Sequence, residues 1–152
     1  MSAKLVVGNW KMNGSFESNR SLIQSIAKDP AASGVVVCPP LVFLSQVKEL
    51  LQGSDIVLGA QNLSRFDHGA YTGEVSASML QDCGVGYVLV GHSERRALFG
   101  ESDAEVATKV EAALAKNLVP VVCVGETLLQ RQQGLADSVV LTQLRAVLDV
   151  VG

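Results

Sequence analysis

The stretch Val88-Leu89-Val90-Gly91-His92-Ser93-Glu94-Arg95-Arg96 decides how this chain is read. Three apolar β-formers run into a glycine, and a histidine stands where the strand ends. Ser93 is placed to cap a helix, and Glu94 falls in that helix's first turn, where an acidic side chain suits the partial positive charge. The pattern predicts a strand, a tight turn and a helix, with an imidazole at the strand's C-terminal end. Beside a helix N-terminus the imidazolium form is disfavoured, so a ring that stays neutral near pH 7 is expected. Such a ring donates an N–H to a carbonyl oxygen or passes a proton.

Outward from this unit the same alternation repeats. Short apolar runs occur at Leu5–Val7, Val35–Cys38, Ile56–Leu58, Tyr87–Val90 and Val119–Val124. None alternates polar with apolar residues, which predicts strands buried on both faces, as in a parallel sheet. The segments between them carry helical spacing. Ser15 to Lys28 places Phe16, Leu22, Ile23 and Ile26 on one stripe, and Pro39-Pro40 precedes a stripe of Leu44, Val47 and Leu51. Ser76 to Cys83 reads as a shorter helix. Ser102 with Glu105 and Thr127 with Gln130 have capping-box spacing. Val106, Val110, Ala113 and Leu114 follow the first, and Ala136 to Val151 carries Val140, Leu144, Val147, Leu148 and Val151. Five consecutive β/α units without a linker predict one domain over residues 1–152. Two architectures accept them: a complete doubly wound sheet of flavodoxin type, or most of a (β/α)8 barrel, which usually needs about 250 residues.

Composition narrows the classes of function. With 152 residues, 48% hydrophobic and 18% charged, the chain can bury one good core. A net charge of −3, dispersed without runs, argues against a nucleic acid partner. Cys38, Cys83 and Cys123 are odd in number and widely spaced, so neither a disulfide nor a metal site is expected, and a reducing cytoplasm fits. Only three apolar residues separate Lys4 from Gly8, so no signal peptide is expected, and no stretch has membrane-spanning length.

In both architectures ligands gather at the C-terminal ends of parallel strands. Those ends read Gly8-Asn9-Trp10-Lys11-Met12-Asn13-Gly14, Pro39-Pro40, Gln61-Asn62, His92 and Gly125-Glu126. Lysine, asparagine and histidine therefore converge on one rim, with one cation suited to an anionic substrate. Lys11 can hold a phosphate or a developing enolate oxygen, although position alone favours a solvated loop lysine. Asn9 can orient Lys11 or donate to a substrate oxygen, or simply serve the turn. Glu94 can act as a general acid or base, or be no more than a first-turn residue suited to the dipole. Glu126 reads as a structural or supporting residue, His68 as an exposed turn histidine, and Cys123 as a small hydrophobe. Arg95 and Arg96 read as salt-bridge or surface residues, with Arg95 able to brace carboxylates at the strand ends. The polar connection Gln61 to Glu74, with Gly69 and Gly73, is long enough to suggest a functional or interface loop.

Val7 to Gly14 and Gly91 to Arg96 closely resemble the two N-terminal signatures of the triosephosphate isomerase family. Gly69-Ala70-Tyr71-Thr72-Gly73-Glu74 resembles that family's third loop, and Pro39-Pro40, Gln61-Asn62 and Cys123-Val124-Gly125-Glu126 match in order and spacing. The resemblance covers the whole chain. It implies an α/β fold of the (β/α)8 TIM barrel type, here its first five β/α units. It implies an aldose–ketose isomerase of glycolysis and gluconeogenesis, interconverting dihydroxyacetone phosphate and D-glyceraldehyde 3-phosphate without metal or organic cofactor. By the same resemblance His92 is the catalytic electrophile, Lys11 provides positive charge to substrate and transition state, Asn9 shapes the oxyanion site, and Glu94 contacts Lys11. Ser93 lies beside the site. Tyr71, Thr72 and Gly73 belong to the interface of a homodimer, with Thr72 reaching the neighbouring subunit's site. The family's catalytic base, a glutamate after strand six, has no counterpart in these 152 residues. Neither has the lid that follows it, nor the glycine-rich turns near strands seven and eight. The expectation is a chain inactive alone for lack of the base. The alternatives are a non-catalytic partial barrel that self-associates or is completed by another chain and, last, a flavodoxin-like binding domain.

Overall fold

Five four-residue strands, β1 (Val6–Asn9), β2 (Val35–Cys38), β3 (Val57–Ala60), β4 (Tyr87–Val90) and β5 (Val119–Val122), pair in parallel in the order β1-β2-β3-β4-β5. The computed structural model describes residues 4–29 and 33–152. A sheet laid down strictly in chain order decides between the two architectures. A doubly wound sheet reverses its strand order at a switch point, and this one never does. The fold is the (β/α) barrel type, with β1 and β5 as the edges of the sheet. The helices are α1 (Phe16–Ile26), α2 (Leu44–Leu50, led in by a 3-10 turn at Leu41–Phe43), α3 (Ala77–Asp82), α4 (Ser93–Phe99), α5 (Asp103–Leu114), α6 (Leu128–Gln132) and α7 (Ala136–Val151).

Parallel register sends alternate residues to opposite faces. Val37, Leu58, Ala60, Val88 and Val90 enter the main core against Leu44, Val47, Leu80, Val106 and Val110 of the helices. On the other face Val36, Cys38 and Leu89 form a smaller buried cluster, flanked by half-buried Val7, Tyr87 and Val121. Burial on both faces therefore holds for the central strands except at Val57, the first residue of β3. It fails at the edges, where Val6 is 61% and Val119 49% exposed, because an edge strand has a neighbour on one side only.

Three helical stripes are narrower than their spacing suggests. In α1, Ile23 is buried, while Phe16 and Leu22 are exposed. The core position one turn earlier belongs to Asn19, whose amide donates to Gln46 of α2 at 3.0 Å, and Phe16 packs edge-on to Phe43 at 5.7 Å. In α7, Val147 is buried but Leu144 and Leu148 are exposed, and Leu114 of α5 is exposed as well. Thr127 and Gln130 close a reciprocal capping box, as do Ser15 and Ser18. Ser102 forms half of one, accepting the Glu105 N–H, while the Glu105 carboxylate lies 3.9 Å from Lys109.

Gly59 of β3 faces the smaller cluster, where a Cβ would lie 2.5 Å from Cys38 Sγ and 2.8 Å from Val36 Cγ1. Both neighbours are fully buried and have nowhere to move. Gly59→Ala is expected to destabilise the fold by about 1–3 kcal/mol through overpacking. The measurement is a fall in urea midpoint at unchanged m value. Burial, with Cys123 nearby, pushes the Cys38 thiol up to about 12, so it packs as a small hydrophobe and not as a nucleophile.

Candidate active site

Asn9 ends β1, and its side-chain oxygen accepts the Lys11 N–H at 3.0 Å. Lys11 sits in the left-handed region at φ 53°, a conformation sparsely populated by lysine. The strain is held from outside the loop. Gln61, just after β3, donates its amide to the carbonyls of Lys11 at 2.8 Å and Cys38 at 2.9 Å, tying together the ends of the first three strands. The Lys11 ammonium is thereby aimed across the rim, 2.7 Å from a carboxylate oxygen of Glu94 in the first turn of α4.

Ser93 is not the cap of α4. It is the first helical residue, and His92 itself is the N-cap, its Nδ1 accepting the Glu94 N–H at 3.2 Å. Imidazole geometry substitutes for a hydroxyl here, because Nδ1 reaches the same orphan backbone donor that a capping serine reaches. The consequence is chemical. With Nδ1 accepting, the ring proton of the neutral imidazole resides on Nε2, which is the donor left for a ligand. The His92 side chain is 24% exposed and lines a cleft of about 330 Å³. Asn9, Lys11, Gln61, Asn62 and Glu94 share that cleft, with Met12, Leu41 and Phe99 as its apolar wall.

Electrostatics assigns Glu94 its partner. The hydrogen bond from Lys11 holds its carboxyl below the ordinary range, outweighing desolvation, with the Lys11 charge helping. A carboxylate so held is a weak proton acceptor. Lys11→Met is expected to return the Glu94 titration toward the ordinary carboxylate range, measured by 13C NMR of the side-chain carboxyl. An unchanged midpoint would mean that the pair does not persist in solution. Glu126 lies outside the cleft, where its own backbone N–H and Arg131 lower its pKa, and it supports the β5 loop. His68 is fully out in solvent.

Sequence reasoning missed a cluster behind the cleft wall. Glu101, 2% exposed, accepts from Lys109 at 2.5 Å and from Arg95, and Lys109 also donates to Asn62 at 3.1 Å. Two cleft residues, Arg95 and Asn62, thus hang on one buried carboxylate. The available signal was a lysine interrupting the apolar stripe of Val106, Val110 and Ala113. The long loop is built to project. Ser64 N–H bonds Val75 O at 2.8 Å across its base, Phe66 and Tyr71 stack at 4.0 Å, and Asp67 is held by Ser78 and Lys116. Tyr71, Thr72 and Gly73 are all exposed. Among the described residues no group of three His, Cys, Asp or Glu side chains could hold a metal ion, and no helix is long and apolar enough to cross a membrane.

Parallel β/α units laid down in chain order, with a cleft lined by Asn9, Lys11, Gln61, His92 and Glu94 at the strands' C-terminal rim, define a fold of the (β/α) barrel class. Residues 4–152 match the family model for triosephosphate isomerase. The chain is 53% identical to triosephosphate isomerases of Nitrosococcus oceani and Azoarcus sp. (strain BH72), over 100% of its own length and 62% of theirs. The crystal structure of triosephosphate isomerase from Bartonella henselae superposes with a TM-score of 0.88 at 40% identity, covering 94% of this chain and 60% of that one. The chain belongs to the triosephosphate isomerase family, and it spans about three fifths of the length of the curated relatives it matches.

Proposed function

We propose that this chain supplies the electrophilic half of an active site that interconverts dihydroxyacetone phosphate and D-glyceraldehyde 3-phosphate, a cytoplasmic step of glycolysis and gluconeogenesis. The observation that carries the reading is the convergence of His92 and Lys11 on one cleft at the strand ends, in a chain of this family. His92 donates its Nε2 proton to the substrate carbonyl and moves protons between the two enediolate oxygens. Lys11 neutralises the developing negative charge, Asn9 holds the loop that presents it, and Glu94 fixes the ammonium in place. The proton on carbon needs a base in contact with it. Among the described cleft residues the one carboxylate is Glu94, already committed to Lys11, so the base comes from outside these residues.

The test is complementation. The chain is mixed with the C-terminal remainder of the Nitrosococcus relative, and isomerisation is followed by a coupled assay. Turnover in the mixture, absent from either part, supports the reading; an assembled but inactive mixture overturns it.

The exposed loop tip at Tyr71, Thr72 and Gly73 is proposed as a homodimer contact, stiffened for docking by the Phe66–Tyr71 stack. Thr72→Arg is expected to shift the sedimentation of the complemented protein from dimer to monomer. A dimer unaffected by Thr72→Arg would remove the loop from the interface.

A further inference from the structure

Arg96 is neither a surface residue nor a simple salt-bridge partner, because its side chain ties together the ends of β4 and β5. Its side chain is only 15% exposed. Its Nε donates to the Gly91 carbonyl at 2.8 Å, Nη1 to Asp103 at 2.5 Å, and Nη2 reaches the Cys123 carbonyl just past β5 at 3.4 Å. Its backbone N–H bonds the His92 carbonyl at 3.1 Å. The carbonyls of Gly91 and His92 belong to the two peptide planes that flank the His92 Cα. The plane after His92 is held by the first turn of α4, where the Arg95 and Arg96 backbone N–H groups bond the His92 carbonyl at 2.8 and 3.1 Å; the plane before it is held by the Arg96 side chain. The approach is close: a Cβ on Gly91 would lie 3.0 Å from Arg96 Nη2 and 2.7 Å from Val106 Cγ2, so the turn has no slack on that side.

With both planes fixed, only two side-chain torsions of His92 remain, and the Glu94 N–H takes up Nδ1. We propose that Arg96 is a positioning residue for His92, its guanidinium tying the Gly91 carbonyl to the Cys123 carbonyl past β5 so that the ring keeps Nδ1 on the backbone and presents Nε2–H to the cleft. The proposal deepens the reading of His92 as the proton donor and rests on it for its catalytic meaning. A planar guanidinium is required, because the bonds to Gly91, Asp103 and Cys123 leave in different directions from one rigid fork. A lysine can pair with Asp103 but cannot bridge the Gly91 and Cys123 carbonyls as well.

The chain has two histidines, which makes the test direct. In the whole 15N-histidine-labelled chain, long-range 1H–15N spectra report the tautomer of each ring, and exposed His68 serves as the internal reference. The wild type is expected to show His92 as one tautomer with the proton on Nε2. In Arg96→Lys the His92 Nδ1 and Nε2 shifts should move toward each other as both tautomers become populated, with His68 unchanged. Asp103→Asn removes the ion pair and leaves both carbonyl bonds, so it should keep the wild-type His92 pattern. If Arg96→Lys is too unstable to give a folded spectrum, Arg96→Ala with added methylguanidinium supplies the fork, and the wild-type pattern should return. The proposal is overturned by an unchanged His92 pattern in Arg96→Lys, by an equal change in Asp103→Asn, or by failure of methylguanidinium to restore it. None of these readouts needs turnover. A failed complementation assay would remove the isomerase reading while leaving the clamp standing, and an unchanged His92 pattern would remove only the clamp.

Discussion

His92→Ala is expected to lower kcat for triose phosphate interconversion by about 10²–10⁴-fold in the complemented protein, with little change in KM. The size follows from what Nε2–H does. In the proposed reaction it meets an oxygen whose charge grows along the path, so its loss should be felt in the transition state more than in the bound substrate. Alanine also removes the N-cap of α4, because His92 is the capping residue as well as the proposed electrophile. Part of the effect could then be structural, at about 1 kcal/mol of helix stability. His92→Asn separates the two roles. Asparagine caps helices well but cannot exchange protons with an enediolate. It should retain the thermal stability of the wild type and still lose most of the turnover. The chain alone should turn over no faster than its His92→Ala variant, since the cleft carboxylate is bound to Lys11. Turnover by the chain alone that disappears with His92→Ala would place a base among these residues and overturn the division of labour proposed here.

The sequence shows what repeats and hides what is made through space. Strands β2 and β4 fall on their apolar runs without a residue's error, because buried β-branched runs bounded by turns admit few other conformations. Whether the sheet was doubly wound or barrel-like could not be read from periodicity, since both are built from identical β/α units; the motifs chose, and the strand order agreed. At the rim, Asn9, Lys11, His92 and Glu94 were legible as strand-end residues. The left-handed Lys11 backbone and its tether to Gln61 were not, because no local pattern predicts a lysine at φ 53°. The cap of α4 was misassigned because serine is the better capping residue in general, and an imidazole beside it does not advertise that its Nδ1 reaches the same donor. Glu101 and Lys109 lie eight residues apart in the chain, with the capped start of α5 between them. Their pairing is a fact of packing alone.

That buried pair carries the largest stability effect. Glu101→Ala is expected to cost about 3–5 kcal/mol, the range for removing one partner of a buried ion pair. Lys109 is 3% exposed and would keep only the Asn62 carbonyl and the distant Glu105 carboxylate at 3.9 Å. Against a total stability of about 5–15 kcal/mol for an ordinary domain, that is a large share of the margin, measured as a drop in urea midpoint. The effect comes from the stranded ammonium more than from the lost attraction. Replacing both members, Glu101→Leu with Lys109→Met, removes the desolvated charges together and should recover most of the loss. Arg95, less deeply buried and resting over Phe99, can turn its guanidinium to water. Acid supplies a second arm. Burial raises the Glu101 carboxyl, but hydrogen bonds from Lys109 and Arg95 outweigh it, and the group titrates below its ordinary range. A depressed carboxylate contributes stability that is complete above its unfolded pKa and lost as pH falls through the folded value. The wild type should therefore lose stability on acidification below about pH 4, and the doubly apolar variant should lose less over the same interval. Equal acid sensitivity in the two proteins would show that other carboxylates govern acid unfolding. A double variant no better than Glu101→Ala would show that the pair stabilises the fold by its own attraction.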